Sequence, residues 1–308
     1  MEAGILSQFS KETELPFSVK GAIHFPNQAQ FHPLKFLEAV SSLLTIYEKT
    51  PVRTVKQDKH QQIISTPYGN VFAKDVVFAC HYPFPLIPGY YFLKMYQKRS
   101  YVLALSNAQT LKDMYLGIDK NGLSFRSAKD LLLVGGYGHR TGKSVQNPYQ
   151  ALRRTSHFLY PSSKIQGHWS AQDCITLDHI PYIGRFSSQS PHWYVATGFQ
   201  KWGMTSSMIS AHLLTDLICG HSSVYESLFS PMRHHVRASA MEFLTHAMES
   251  GKGLLSGIGP QNLRCPHLGC KLVWNPSENT WECPCHGSRF DCQGHLKNGP
   301  AQKNLFSS

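Results

Sequence analysis

RCPHLGCKLVWNPSENTWECPCHGSRFD, residues 264–291, is the stretch that decides how this chain is organised. It contains two short motifs rich in metal-ligand side chains: CPHLGC at 265–270, called the first box, and CPCHGS at 283–288, called the second box. The residues between the boxes are numerous enough for a β-hairpin with its turn at 275–279. The pattern therefore predicts two tight loops that close on one metal centre.

Two kinds of metal centre fit the residue types in the boxes. A zinc ion held in a tetrahedron by two cysteines and two histidines would leave Cys270 and Cys285 without a role. A [2Fe–2S] cluster, with two cysteines on one iron and two histidines on the other, draws on the same residue types. Zinc and iron–sulfur chemistry therefore both stay open on residue types alone.

Both boxes closely resemble the cluster-binding loops of Rieske [2Fe–2S] proteins, including prolines and glycines that suit tight turns. Carried over by position, the resemblance implies iron ligands and one disulfide: Cys265 and Cys283 on one iron, His267 and His286 on the other, and Cys270 bonded to Cys285. In respiratory members of high potential the second box continues G-S-x-Y, whereas this chain has Phe290 in place of the tyrosine. The resemblance implies a small all-β domain with a Rieske-type cluster.

Composition limits the classes of protein to which the chain belongs. Its 308 residues predict about two domains, and 42% hydrophobic residues support a buried core. The net charge of +11 is spread without a long Lys/Arg run, which argues against a nucleic-acid partner and is compatible with an acidic redox partner. No apolar run is long enough for a membrane span, and residues 1–17 carry no apolar signal segment, so we expect a cytoplasmic protein.

Hydrophobic periodicity predicts helices and an antiparallel sheet in the first half of the chain. Amphipathic spacing predicts helices at 34–49 and 147–158. Short apolar runs bounded by turn residues predict strands: 53–55, 62–65, 71–73, 75–80 and four more within 101–134. The run at 75–80 is almost continuously apolar, which is typical of a strand buried on both faces.

A second informative region lies at 193–220. A strand at 193–197 leads through a glycine-containing turn into a helix that runs to Cys219, and Gly220 suits the position after a helix end. Such a strand, turn and helix N-terminus can bind an anion, because the first N–H groups of a helix lack partners within it. A plain strand–helix connection explains the pattern equally well.

Four segments resemble FAD oxidoreductases of the D-amino-acid-oxidase-like family. DHIPYIG at 178–184 and ATGFQKWGMT at 196–205 resemble the flavin-binding part. VVFACHYPF at 76–84 resembles the middle of the FAD domain, and QAQFHPLKFL at 28–37 resembles the start of the substrate domain. The branch of that family with a C-terminal Rieske domain matches along essentially the whole chain. It implies a mixed α+β / α/β fold: a partial glutathione-reductase-like FAD domain with an antiparallel-sheet substrate domain at 1–256, then the all-β Rieske domain at 257–308.

The resemblance also implies where FAD lies. The helix beginning near Gly203 would direct its N-terminus at the flavin and stabilise negative charge on the reduced ring. The flavin-side residues implied by position are Gly198, Trp202, Gly203, Met204 and Thr205. The family's G-x-G-x-x-G, which cradles the FAD pyrophosphate, is absent from this chain. We therefore expect a truncated flavin domain that binds FAD substoichiometrically and exposes the strand at 75–80 as an edge.

By resemblance, the chain is an FAD-dependent amine- or amino-acid-oxidase-like oxidoreductase. It would oxidise a small-molecule amine or amino acid at the flavin and pass single electrons through the cluster to or from an outside electron-carrier protein. The alternatives are a Rieske electron-transfer module with a vestigial, non-catalytic flavin domain, and a zinc-binding interaction protein. The sequence identifies no catalytic residue. Five side chains are candidates for the substrate site or for structural roles: His139, Arg140, Trp169, Gln172 and Asp173.

Overall fold

A computed structural model of the chain describes residues 4–58, 61–119, 122–143, 147–233, 248, 251 and 263–306. The chain divides into two compact units. The first comprises 1–47, 100–138 and 147–170, and the second comprises 48–99, 139–146 and 171–308. The sequence also predicts a helix at 236–248. Most of that range, and the predicted domain boundary at 256/257, lie outside the described residues.

Seventeen strands and four α-helices are found in the described part of the chain. The strands in chain order are β1 Gln8–Ser10, β2 Ala22–His24, β3 Thr54–Gln57, β4 Gln62–Thr66, β5 Gly69–Ala73, β6 Val76–Phe78, β7 Met95–Ser106, β8 Tyr115–Leu116, β9 Ser124–Ala128, β10 Leu131–Arg140, β11 Lys164–Thr176, β12 Tyr182–Arg185, β13 Trp193–Thr197, β14 Val273–Asn275, β15 Thr280–Glu282, β16 Arg289–Asp291 and β17 Leu296–Asn298. The helices are α1 Pro33–Ser41, α2 Pro148–Leu159, α3 Gly203–Cys219 and α4 Glu226–Phe229. None of the described helices is long and apolar enough to cross a membrane.

The core of the first unit lies between a sheet and α2. The sheet has the strand order β11-β7-β10-β9-β8, and its β8–β9 and β9–β10 pairs are antiparallel, as the turn pattern predicts. Residues 95–99 of β7, 139–140 of β10 and 171–176 of β11 belong to the second unit. Alternate side chains of β7, among them Tyr101 and Leu103, are fully buried with Leu152 of α2, which is the period-two burial of a strand with one covered face.

The helix predicted at 34–49 is shorter than expected. α1 begins with Pro33 in its first turn, capped by the His32 side chain, and ends at Ser41. The hydroxyl of Ser41 donates to the Glu38 carbonyl (2.9 Å), and that of Ser42 to the Ala39 carbonyl (2.8 Å). Serine side chains that bond nearby carbonyls in this way compete with continued helix, so the amphipathic spacing extends beyond the helix itself.

The second unit contains the predicted short strands and one parallel pair. β3, β4 and β5 form an antiparallel sheet, and a separate sheet has the order β12-β13-β6, with β13 and β6 parallel. The prediction that 75–80 is buried on both faces is wrong, because Val77 is 43% exposed and only Phe78 of β6 is buried. Burial of both faces requires packing above and below the sheet, and the side of β6 that carries Val77 is left partly open. β6 is also an edge strand of the described sheet, with β13 as its neighbour, which agrees with the expected edge.

The strand and helix predicted at 193–219 are found with the same bounds. β13 is buried throughout, and α3 ends where Gly220 adopts a left-handed conformation (φ 79°) that favours glycine.

Asp178 of the DHIPYIG segment forms a buried two-bond ion pair with Arg233, at 2.7 and 2.8 Å. Burial raises the pKa of Asp178, but hydrogen bonds and attraction from Arg233 outweigh this effect and lower the pKa overall.

The C-terminal segment is a four-stranded antiparallel sheet. Its strand order is β14-β15-β16-β17, and the β14–β15 hairpin lies between the two boxes as predicted. The four box cysteines are buried with Leu272, Phe290 and Ala301. This core is small for a segment of this length, so the bonds that tie the boxes together contribute a large share of its stability.

Candidate functional site

The first box is a tight loop closed by its own backbone. The N–H of Cys265 donates to the Cys270 carbonyl (2.9 Å), and the N–H of Gly269 donates to the Cys265 carbonyl (2.8 Å). Gly269 has φ +74°, a conformation that side chains with a Cβ adopt at a cost. A Cβ placed on Gly269 would meet no heavy atom of the described chain within 4 Å, so this glycine faces open space.

The second box repeats the same backbone pattern. The N–H of Cys283 donates to the Ser288 carbonyl (2.9 Å), and the N–H of Gly287 donates to the Cys283 carbonyl (2.9 Å). Gly287 has φ +79°, close to the value at Gly269. A Cβ on Gly287 would lie 2.8 Å from atoms of Gln97 and Gln172. The second box is therefore covered at the position where the first box is open.

The loops bring all six ligand-type side chains of the boxes together. Cys270 and Cys285 form a disulfide between the boxes. The Sγ atoms of Cys270, Cys283 and Cys285 lie within 4.8 Å of one another, but the disulfide occupies two of them and leaves only Cys283 of the three as a potential ligand. The imidazole rings of His267 and His286 lie 4.9 Å apart.

The two thiols outside the disulfide are held against each other. Cys265 and Cys283 hydrogen-bond one another, and this contact lowers the pKa of Cys265 to about 7. The same contact, together with burial, raises the pKa of Cys283. The Ser288 hydroxyl also hydrogen-bonds Cys265 and accepts from the Ala301 N–H (3.0 Å). The lowered pKa brings Cys265 closer to the thiolate form, which is the form that binds a metal.

The two histidines present ring nitrogens that suit the same purpose. Burial lowers the pKa of His267 to about 4, so its imidazole is neutral near pH 7. Its Nδ1 atom is buried without a hydrogen-bond partner among the described residues. His286 is 3% exposed, and its Nε2 lies 3.1 Å from the Phe92 carbonyl. A carbonyl only accepts, so Nε2 carries the proton and Nδ1 is the atom with a lone pair.

The second box is seated on residues that lie far away in the sequence. The Gln97 side chain donates to the His286 carbonyl (2.7 Å), and the Gln172 side chain donates to the Gly287 carbonyl (2.7 Å). Gln172 also hydrogen-bonds Gln97. The rings of Phe92 and Tyr82 lie 6.0 and 6.2 Å from the His286 ring.

Charged side chains continue this contact around the second box. Arg99, fully buried, forms an ion pair with Glu282 (3.0 Å), the residue that precedes the box. The Gly142 N–H donates to the same carboxylate (3.2 Å). Arg140 donates to the carbonyls of Pro284 (3.3 Å) and Cys285 (3.4 Å). A buried ion pair that also receives hydrogen bonds fixes geometry, and its disruption leaves an uncompensated charge.

These contacts bear on the five side chains considered for a substrate site. Arg140 and Gln172 contact the second box, which is the structural role left open for them. Asp173 pairs with Lys201 (3.1 Å). Trp169 belongs to the first unit, and His139, in β10, belongs to the second unit. Sequence reasoning assigns no role to Tyr82, Phe92, Gln97 or Arg99. Gln97 and Arg99 are buried on β7, which is unusual for these residue types, but their burial is known only from the structure.

The flavin-side candidates lie at the end of β13 and in the first turn of α3. Gly198 is buried with φ +75°, and a Cβ there would lie 2.3 Å from Cγ2 of Thr176, so only glycine fits. Trp202, 60% exposed, is the N-cap residue of α3 and caps no N–H with its side chain. Gly203, Met204 and Thr205 form the first helical turn, and a Cβ on Gly203 would meet nothing in the described structure within 4 Å. The N–H groups of this turn can donate hydrogen bonds to an anion or to a polar ring edge.

Family models match two parts of the chain. The model described as FAD dependent oxidoreductase matches residues 3–217, and the model described as Rieske [2Fe-2S] domain matches residues 260–308.

Relatives of known name match the whole chain or its C-terminal part. YhfW of Bacillus subtilis (strain 168), named as a Rieske 2Fe-2S iron-sulfur protein, is 33% identical over 98% of this chain and 69% of its own length. Cytochrome b6-f complex iron-sulfur subunit 2 of Trichormus variabilis (strain ATCC 29413 / PCC 7937) is 49% identical over 53 residues, which are 17% of this chain and 29% of that protein. Among solved structures, glycine oxidase from Bacillus cereus ATCC 14579 superposes with a TM-score of 0.63 at 20% identity, covering 75% of this chain and 69% of that one.

Proposed function

Because the chain belongs to the FAD-dependent oxidoreductase family and carries a Rieske [2Fe–2S] domain, we propose that it oxidises an amine or amino acid at flavin and passes the electrons singly through its cluster. The oxidoreductase class and the two cofactors follow from the family. The substrate, the ligand assignment and the carrier are the proposal. We also propose that the two parts meet at 256/257, in the interval between the two matched regions.

One observation carries the ligand assignment: two loops with the same backbone pattern bring two thiols and two imidazoles to one place. We assign Cys265 and Cys283 to one iron and His267 and His286 to the other, with the Cys270–Cys285 disulfide tying the loops together. The buried Nδ1 of His267 supports this assignment, since a buried polar atom without a partner is rare and a metal would satisfy it. Zinc would use the same four side chains but would give no redox chemistry.

The chain's own residues hold and tune both centres. When bound, the flavin accepts a hydride equivalent from the substrate and releases electrons one at a time, and the cluster carries one electron. The Phe92 carbonyl fixes the ring of His286 by accepting a hydrogen bond from Nε2–H. Ser288 places its hydroxyl against the Cys265 sulfur, where hydrogen bonding draws electron density away from the cluster. The first-turn N–H groups of α3 stabilise negative charge at a flavin edge.

The substrate class rests on the fold. Glycine oxidase from Bacillus cereus has a similar fold, so amines and amino acids are the first compounds to test. The electron acceptor proposed is a one-electron carrier protein outside the chain. A basic net charge of +11 favours an acidic carrier. The cytoplasmic location stays a prediction.

The test uses the purified full chain under anaerobic conditions. We expect iron and acid-labile sulfide near two each per chain, a visible spectrum, and a paramagnetic signal on reduction. We also expect FAD below one per chain as isolated, because the chain has no G-x-G-x-x-G. A panel of amines and amino acids should bleach the flavin and then produce the cluster signal in the FAD-loaded fraction.

Other outcomes point to the alternatives. A cluster without any substrate-dependent flavin bleaching would favour an electron-transfer module with a non-catalytic flavin domain. A colourless protein containing zinc would overturn the assignment of the metal. Stoichiometric FAD would show that the turn at α3 and its surroundings hold the cofactor without the pyrophosphate motif.

A further inference from the structure

We infer that the cluster has an inner and an outer side, and that electrons from the flavin enter through His286 on the inner side after crossing Tyr82. His267, in the first box, is then the ligand available to an outside carrier. The inference rests on the proposed function, because it needs a flavin at the turn after β13 and a cluster held by both boxes. It assigns a direction to each histidine and a role to Tyr82.

The inner side is defined by what surrounds His286. The ring is 3% exposed, its Nε2 hydrogen-bonds the Phe92 carbonyl, and the rings of Tyr82 and Phe92 pack near it. These partners belong to the oxidoreductase part of the chain. Solvent and an outside protein therefore do not reach this imidazole in the seated geometry, whereas the first box has an exposed Pro266 and open space at Gly269.

Buried contacts lead from the flavin-side turn to His286. Thr197, directly before Gly198, places its Oγ1 3.9 Å from Sδ of Met95. The Tyr82 hydroxyl donates to the Met95 carbonyl (3.2 Å), and the Tyr82 ring lies 6.2 Å from the ring of His286. All three intermediate side chains are nearly or fully buried. Close-packed atoms transmit an electron better than a gap or bulk water does, so this line of contacts is a route between the two centres.

The seating of the second box keeps that route in place. Gln97 and Gln172 bond the carbonyls of His286 and Gly287, and Gly287 has no room for a Cβ beside them. Arg99 holds Glu282, at the entrance to the box. Since these bonds are buried and mutually connected, the distance between Tyr82 and His286 is set by the fold, and transfer needs no movement of the Rieske segment.

The electrons balance when an outside one-electron carrier is the oxidant. Hydride transfer from substrate delivers two electrons to the flavin. Each crossing through Tyr82 and His286 moves one electron and reduces one ferric iron to ferrous. The carrier would reoxidise that iron before the second crossing. The amine that lost the hydride would become an iminium ion, and once both electrons have left the flavin the hydrogen that arrived as hydride would leave as a proton to solvent. One substrate thus reduces two carrier molecules.

The test of the route compares three variants of FAD-loaded protein: Tyr82→Leu, Tyr82→Phe and Tyr91→Leu. Tyr82→Leu removes the ring beside His286, and Tyr82→Phe keeps it. Tyr91→Leu removes a buried ring from the same core whose ring contacts are Tyr182 and Phe186. After photoreduction of the flavin, the rate at which the cluster becomes reduced is followed by absorbance and paramagnetic resonance. Photoreduction needs no substrate, so failure of the proposed substrate chemistry does not affect this measurement.

We expect Tyr82→Leu to slow flavin-to-cluster transfer about tenfold or more, the change that about 1.4 kcal/mol in a barrier produces. Tyr91→Leu should stay near the unmodified rate, and Tyr82→Phe, which keeps the ring but loses the hydroxyl contact with the Met95 carbonyl, should slow transfer less than Tyr82→Leu does. Iron content and reduction by dithionite should be unchanged in all three, because dithionite approaches from the outer side. Equal rates in Tyr82→Leu and the unmodified protein, or equal slowing in Tyr91→Leu, would overturn the route.

A second measurement needs no flavin and tests the two sides directly. Diethyl pyrocarbonate modifies accessible imidazole nitrogens, and mass spectrometry locates the modified residue. In the cluster-loaded chain we expect modification of His267 and protection of His286. In a variant carrying Gln97→Ala and Gln172→Ala, His286 should become reactive. Modification of His286 at the rate of His267 in the unmodified chain would overturn the inner–outer assignment.

Discussion

The first and second boxes have nearly the same backbone and different surroundings. Each is closed by an N–H of its first residue bonded to the carbonyl of its last and by a glycine N–H bonded to the first carbonyl. The glycines have φ of +74° and +79°. Yet a Cβ at Gly269 would meet nothing in the described structure, whereas one at Gly287 would strike Gln97 and Gln172.

The difference shows that the ligand side chains of a box do not determine whether its histidine faces the protein interior or the outside. Each box offers one thiol and one imidazole within a few residues, Cys265 with His267 and Cys283 with His286, and neither set of residue types by itself marks its histidine as inner or outer. The distinction comes from β7 and β11, which supply Gln97, Arg99 and Gln172 to the second box only. Two equal ligands can therefore serve two different partners.

The largest effect is expected where the boxes are equivalent. His267→Ala and His286→Ala should each abolish the cluster, because one iron loses half of its protein ligands. Iron and sulfide analysis with paramagnetic resonance measures the loss. Cys292→Ser is the matched control, since Cys292 is an exposed free cysteine outside both boxes, and it should leave the cluster intact. If Cys292→Ser alone bleached the protein, the ligand assignment would be wrong.

A smaller effect is expected on the free energy of unfolding when the arginine that supports each box is replaced: Arg99 at the second box and Arg264 at the first. Arg99→Met removes the fully buried ion-pair partner of the Glu282 carboxylate and leaves it with the more distant Arg289 (3.6 Å). Breaking a buried pair in this way costs up to about 3–5 kcal/mol in the free energy of unfolding. Arg264→Met removes an exposed arginine that donates to the Gly269 carbonyl (2.8 Å), and it should cost less than about 1 kcal/mol. Chemical denaturation of the cluster-loaded protein measures both. Similar costs for the two variants would mean that the second box is not held from outside.

The glycines offer a more closely matched pair. Gly269→Ala and Gly287→Ala both force a Cβ into a left-handed conformation, at a cost of about 1–2 kcal/mol. Gly287→Ala must also displace Gln97 and Gln172, which adds about 1–3 kcal/mol of overpacking. The difference between their unfolding free energies isolates the seating of the second box. A zero difference would show that the two glutamines move aside without cost.

The smallest effect concerns the core that both boxes share. Phe290 is fully buried with Cys265 and Cys283, and Phe290→Tyr adds a hydroxyl that can bond a ligand sulfur. Such a bond favours the reduced cluster by about 1.5 kcal/mol, which is on the order of 60 mV for one electron. Protein-film voltammetry should show a raised potential, with Phe290→Leu as the control that adds no donor. An unchanged or lowered potential in the tyrosine variant would mean that the hydroxyl does not reach the sulfur.

Much of the fold follows from local chemistry that the sequence displays. The family, both cofactors and the mixed architecture with a C-terminal all-β segment are confirmed. α3 is predicted with its bounds because Gly220 supplies the left-handed residue that ends it. The hairpin between the boxes is predicted because its turn residues lie between two short apolar runs. Each of these features depends on residues close together in the chain.

The surroundings of the site depend on residues far apart in the chain. Gln97 reaches His286 across 189 positions, and Gln172 reaches Gly287 across 115. A glutamine in a strand reads as a solvent-facing residue until the tertiary contact is known. The prediction for β6 is wrong for a related reason: an apolar run does not show whether distant parts of the chain cover both faces of the strand. The ligand roles of the box residues stay a prediction.

Hydrogen exchange at two backbone amides tests whether the second box is covered while the first box is open. The amides of Gly269 and Gly287 donate to equivalent carbonyls, at 2.8 and 2.9 Å, so their local bonds protect them equally. In the cluster-loaded chain we expect Gly287 to exchange much more slowly than Gly269, because the second box is covered. Gln97→Ala with Gln172→Ala should bring the two rates together. Equal exchange at Gly269 and Gly287 in the unmodified protein would contradict this expectation.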